Sequence, residues 1–121
     1  MDVRLEQEVR LLHERICQGI GDPKRLLLLY ELHRQPQRVG DLALTMGMPQ
    51  PTVSRHLKVL RERSLVSGMR EGAAVTYSVA DPRIIEALDL MRGVLRSILD
   101  RESEIGRFTA LGVSGSRKGK R

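Results

Sequence analysis

The stretch QPTVSRHLKVLRERSLV, residues 50–66, carries two patterns at once. Val53, Leu57 and Leu60 recur at four and three residues, the spacing of one face of an α-helix. Ser54, Arg55, Lys58, Arg61 and Arg63 fill the other positions, while Thr52 and His56 flank the apolar stripe. The spacing predicts a helix from about Gln50 to Ser64 that is pinned to a body on one side and presents a basic, hydroxyl-bearing face on the other.

The residues before it supply that body. Val39 to Met46 reads as a short helix with Leu42, Ala43 and Met46 inward, and Gly47-Met48-Pro49 as a tight turn into the quoted helix. Upstream, Asp22-Pro23 is a helix start, since Asp accepts from orphan amides and Pro at the first helical position has no amide to leave unpaired. The run LLLLYEL that follows reads as a helix buried on most sides, closed by Pro36. An earlier helix, roughly Asp2 to Gln18, carries Leu5, Val9, Leu12 and Ile16 as an inward-facing stripe and ends at Gly19 and Gly21.

After residue 64 the period changes to two. LVSGMR and VTYSV are β-prone, with Glu71-Gly72-Ala73-Ala74 as a hairpin turn. Asp81-Pro82 repeats the helix-start signature, and Ile84, Leu88, Met91, Leu95, Ile98 and Ile105 follow at heptad spacing. Two helices joined by a short Gly-containing turn, followed by a basic hairpin, form a winged helix-turn-helix, whose second helix enters the DNA major groove. The expected fold is therefore mostly α with a β-hairpin wing. The expected DNA-binding residues are Gln50, Thr52, Ser54, Arg55, His56, Lys58, Arg61 and the wing residue Arg70, with Ser54, Arg55 and His56 facing the groove and Arg61, Arg63 and Arg70 meeting the phosphate backbone.

Composition supports this assignment. The net charge of +6 is unevenly spread: residues 1–35 carry six basic and six acidic groups and residues 80–112 five and six, whereas residues 36–79 carry six and three. The last nine, VSGSRKGKR, hold four basic groups and no acidic one, the composition of a disordered basic tail over residues 113–121. One DNA-binding and dimerisation domain is expected over residues 1–112. Aromatic residues are only 2%, namely Tyr30, Tyr77 and Phe108, which counts against single-strand binding by base stacking. No Ser-His-Asp or Cys-His-Asn set is apparent, so no enzyme is expected. The N-terminus lacks the apolar core of a secretory signal and no run approaches a membrane span, so a cytoplasmic location with no membrane partner is expected.

The segments GDPKRLLLLYEL, VGDLALTMGMPQPTVSRHLKVLRERSLV and REGAAVTYSV resemble, in order and spacing, the winged-helix core of the ArsR/SmtB-type bacterial transcriptional repressors. The resemblance covers about residues 16–80. It implies a homodimer joined through the first and last helices, double-stranded DNA with a palindromic operator as partner, and repression as the activity. The apolar stripes on residues 5–16 and 84–105 are consistent with such a seam.

Departures from the family pattern are equally informative. Metal- and arsenic-sensing relatives carry Cys-x-Cys-Asp-Leu at the start of the third helix, where this chain has Arg38-Val39-Gly40-Asp41-Leu42. The family's second site uses carboxylate and histidine ligands on the last helix. Here Asp89, Met91, Glu102 and Ile105 occupy those positions, which supply oxygen ligands and no nitrogen. No metal and no cofactor is therefore expected. Pro49 stands where many relatives have a serine N-cap.

His13 and Cys17, four residues apart on the first helix, are the one remaining candidate sensing pair, as metal ligands or through the thiol. The plainer reading is a surface histidine and a small apolar thiol. A winged-helix protein-interaction module without DNA specificity is the alternative from another class.

Overall fold

The computed structural model describes residues 1–113; the expected tail from residue 114 onward lies outside the described residues. The chain divides into two compact units, residues 1–85 and residues 86 onward.

In the first unit, α1 spans Val3–Leu12, with the Asp2 carboxylate accepting from the Arg4 amide at its start. The helix does not continue to Gln18 in α form. Residues His13–Cys17 make a π-helical turn, closed by the Gln18 amide donating to the His13 carbonyl at 2.9 Å. Then follow α2 (Pro23–Arg34), β1 (Gln37–Arg38), α3 (Val39–Met46), α4 (Gln50–Glu62), β2 (Val66–Glu71) and β3 (Ala74–Val79). The helix α5, Arg83–Val113, carries the chain into the second unit.

Each boundary has a local cause. At the start of α2 the Asp22 carboxylate accepts from the Lys24 amide at 2.7 Å, which lowers the pKa of that carboxyl. At the end of α3, Gly47 takes φ +64, its amide donating to Leu44 and that of Met48 to Ala43. The end of α4 repeats this closure without glycine. Ser64 takes φ +64, its amide donating to Arg61 at 3.0 Å and that of Leu65 to Leu60 at 2.9 Å. Both helices of the helix-turn-helix thus end in the same left-handed closure. At the start of α4, Pro49 offers no side-chain cap. Little is lost, because Pro51 has no amide and the Thr52 and Val53 amides both donate to the Pro49 carbonyl.

The three strands form one antiparallel sheet in the order β1-β3-β2, with Gln37 opposite Tyr77 and Gly68 opposite Tyr77 on its other side. Glu71 pairs with Ala74 around Gly72, which alone of the two central turn residues has positive φ. The short strand β1 was not expected from sequence. It is anchored by Gln37, which is buried and donates from Nε2 to Glu31 Oε2 at 2.8 Å. Arg34, and then Gln37, hold the Glu31 carboxyl below its usual pKa.

The core of this unit comprises Leu28, Leu29, Leu32, Leu42, Val53, Leu57, Leu60, Leu65, Val66 and Ile85. Within LLLLYEL only part of the run is enclosed, since Leu27 is exposed. The inward stripe expected on the first helix needs correction. Leu5, Val9, Leu12 and Ile16 are all exposed. In the second unit Leu88 is buried, whereas Met91, Leu95 and Ile98 are exposed. The Ile105 side chain lies outside the described ones.

A half-buried junction links the turn after the π-helical segment to α4. Arg25 donates from Nε to the Gly19 carbonyl at 2.6 Å, from Nη2 to the Gln18 carbonyl at 3.2 Å, and from Nη1 to His56 Nδ1 at 3.3 Å. A guanidinium can only donate, so His56 Nδ1 accepts and the imidazole is neutral with its hydrogen on Nε2. Burial pushes the His56 pKa below 6.5, against the raising effect of Asp22 and assisted by Arg25, Lys24 and Arg55.

Two expectations follow. Ser64→Gly should stabilise the fold by about 0.5–1 kcal/mol, because glycine adopts left-handed φ without the Cβ clash; a chemical-denaturation midpoint unchanged or lowered would contradict this closure. Below the ordinary histidine pKa of 6.5 the unfolded chain binds a proton at residue 56 that the folded chain resists, so stability should fall as pH drops through 6.5. Urea midpoints between pH 7.5 and 5.5 should show that loss, and His56→Gln, whose amide oxygen can still accept from Arg25, should flatten it. The carboxyls of Asp22, Glu31 and Asp81, the last lowered to about 2 by Arg83, act at lower pH and do not confound the window.

Candidate nucleic-acid interface

The candidate site is the outward side of α4 with the wing beside it. Val53, Leu57 and Leu60 are at most 1% exposed, which fixes the rotation of the helix about its own axis. At about 100° per residue, Ser54, Lys58 and Arg61 then form one row on the flank of the helix, and Arg55 stands on its far side. All four are exposed, as is Gln50 at the first position. Thr52 is half-buried, and its hydroxyl accepts from Arg55 Nη2 at 3.3 Å, drawing that guanidinium toward the N-terminal half of the helix.

His56 stands elsewhere than on the expected groove face. It lies only about 40° around the helix from the buried Leu60. It is half-buried, and its Nδ1 edge is engaged by Arg25. Arg63, the residue that follows the last helical turn of α4, is likewise half-buried, with Nη1 donating to Gln18 Oε1 at 3.3 Å. These two residues hold α4 against the body.

The row of Ser54, Lys58 and Arg61 lines a cleft of about 340 Å³ completed by Leu57, Glu62 and Tyr77 of β3. Arg70 is exposed on β2. Tyr77 and Gly68 were not expected at the site; the interruption of the apolar alternation in β2 by Gly68 was the available signal. Arg25 stood out only as part of the Asp22-Pro23 motif, because its partners are a distant histidine and two backbone carbonyls.

The donor set does not suit a transition metal at the family positions. Arg38, Gly40 and Asp41 surround the start of α3, where one carboxylate is the only anionic donor. Among the described residues no three of His, Cys, Asp and Glu come together. His13 and Cys17 are both exposed on the π-helical turn. No helix among the described residues is long and apolar enough to cross a membrane.

Comparison with known proteins agrees with this geometry. Residues 22–67 match the family model described as bacterial regulatory protein, arsR family. The chain is 42% identical over 72 residues to the HTH-type transcriptional regulator NmtR of Mycobacterium tuberculosis, a match covering 60% of each, so it spans about three fifths of that relative's length. It is 32% identical over 86 residues to the nodulation protein NolR of Rhizobium meliloti, covering 71% of this chain and 70% of that one. The crystal structure of NolR from Sinorhizobium fredii superposes with a TM-score of 0.68 at 28% identity, over 78% of this chain and 93% of the other. With its winged helix-turn-helix in register along the matched residues, the chain belongs to the arsR family of bacterial regulatory proteins.

Proposed function

We propose that this protein is a DNA-binding transcriptional regulator that represses by occluding a promoter, acting in the cytoplasm and without catalytic activity. The observation that carries this reading is the exposed outer surface bearing Ser54, Arg55, Lys58 and Arg61 on a helix whose rotation is fixed by fully buried Val53, Leu57 and Leu60. Gln50, Thr52, Ser54 and Arg55 occupy the N-terminal half, the part that reaches base edges in the major groove. Lys58, Arg61 and Arg70 serve phosphates, and His56 contributes by bracing the helix through Arg25.

The working form is a homodimer, with residues 1–112 as its DNA-binding and dimerisation domain. Support comes from apolar residues that a single chain leaves in water: Leu5, Val9, Leu11 and Leu12 on α1, and Met91, Val94, Leu95 and Ile98 on α5. Two α4 helices related by a two-fold axis read two halves of a palindromic operator one or two helical turns apart. An inducer that changes the dimer angle prevents both from fitting at once. The Arg38 and Gly40 replacements direct that inducer away from the thiolate-bound metals of relatives.

Binding should be steeply salt-dependent and sequence-selective; shallow salt dependence with no preference among duplexes would instead favour a protein-interaction module. Arg55→Ala should weaken specific binding by about 1–3 kcal/mol and random DNA far less, whereas Arg70→Ala should weaken all duplexes and lower the salt slope by about one. Equal loss on both DNAs for Arg55→Ala would make it a phosphate contact. For the dimer, Leu95→Glu should yield monomers in light scattering and poor binding to a palindrome, since burying an unpaired carboxylate costs several kcal/mol. A persisting dimer would place the seam elsewhere.

A further inference from the structure

The cleft between α4 and the wing has a construction that outward exposure of basic residues alone does not require. Three of its residues, Ser54, Lys58 and Arg61, come from one helical row, and the fourth, Tyr77, is the β3 residue paired with Gly68 of β2. None of these four side chains has a hydrogen-bond or ion-pair partner among the described residues. Some arginines of the unit are engaged, Arg25 on carbonyls and His56, Arg34 on Glu31, Arg55 on Thr52 and Arg63 on Gln18, whereas Arg15, Arg38 and Arg70, like Arg61, have no side-chain partner among the described residues. The Arg61 guanidinium is held by shape instead. A Cβ on Gly68 would lie 3.2 Å from Arg61 Nη1, 3.3 Å from Arg61 Cζ and 3.0 Å from Val75 Cγ1, so the guanidinium rests against the bare backbone of β2.

Resting on the DNA-binding reading above, we propose that this cleft seats one backbone phosphodiester of the bound duplex. Arg61 and Lys58 supply its positive charge, the hydroxyls of Ser54 and Tyr77 donate to its oxygens, and Gly68 is the positioning residue that leaves the guanidinium its place. The charge matches the ligand. Two cations and the Glu62 carboxylate leave one net positive charge, complementary to the single negative charge of a phosphodiester. The row of α4 that lines the cleft adjoins the face proposed to enter the groove, so a phosphate held here sets how deeply and at what angle the helix enters. A methyl group at residue 68 would push the guanidinium by a few tenths of an ångström from that position.

The test is a methylphosphonate scan of a selected operator, in which each phosphate in turn is made neutral, read by equilibrium binding of the full chain. In wild type, one phosphate per half-site should cost about tenfold when neutralised. In Arg61→Ala the same neutralisation should cost nothing further, and the salt slope should already be lower by about one. Gly68→Ala, confirmed as folded by its thermal transition, should weaken binding in the same direction as Arg61→Ala but by less, and in the Arg61→Ala background it should add no further loss. Tyr77→Phe should weaken binding about threefold with the salt slope unchanged, as expected for a lost neutral donor. If Arg61→Ala and the sensitive phosphate contribute independently, the seat is wrong although DNA binding stands. Should Gly68→Ala bind as wild type, its positioning role is refuted. Absence of any selective duplex binding by wild type would overturn the regulator reading itself, a result distinct from both.

Discussion

The burial of Val53, Leu57 and Leu60 is the constraint on which the rest depends. Each such side chain contributes roughly 1.5–3 kcal/mol when removed from water. Turning α4 by one residue would replace all three with Ser54, Lys58 and Arg61, burying two charges. That difference is large enough to hold the helix in one rotation. Everything said of the polar face follows from it: the row facing the wing, the outward Arg55, and the placement of His56 near the buried side rather than in open water.

Polar contacts then fix the helix along its length. Arg25 collects the Gln18 and Gly19 carbonyls and the His56 ring, while Arg63 reaches the Gln18 side chain. Gly19 is packed so tightly that a Cβ there would approach Leu65 Cδ1 to 2.7 Å. The turn that ends the π-helical segment is therefore fastened to α4 and to the first residues beyond it. A displacement of that segment bears on His56 through Arg25 and on Arg63 through Gln18. The exposed apolar stripe on α1 lies directly before this turn in the chain.

The two ends of α4 differ in kind. At its start, Pro49 and Pro51 reduce the number of unsatisfied amides rather than capping them. At its end, Ser64 accepts a left-handed conformation that glycine fills at the equivalent end of α3. The closure at Ser64 directs Leu65 and Val66 back into the core, and so delivers β2 to the side of the helix where Arg61 projects.

Much of this was written locally and could be read without a structure. Helical spacing marked α2, α3 and α4, the change to period two marked the hairpin, and Asp-Pro pairs marked two helix starts. Those signals depend on neighbours within a few residues, which is why they survive in one dimension. The amphipathic stripe of α1 was legible as well, but its orientation was not: periodicity identifies a face to be covered and does not say whether the same chain covers it. The two-residue strand β1 carries no period at all, and exists because Tyr77 of β3 offers it an edge. The partners of His56 lie 31 residues away, and those of Arg61 lie across a hairpin whose register decides that Gly68, rather than Met69, meets the guanidinium. The sequence by itself determined which helix is amphipathic and what its polar face contains. Only the tertiary structure decided which of those polar residues are engaged and which stay free, because that depends on long-range packing around one buried stripe.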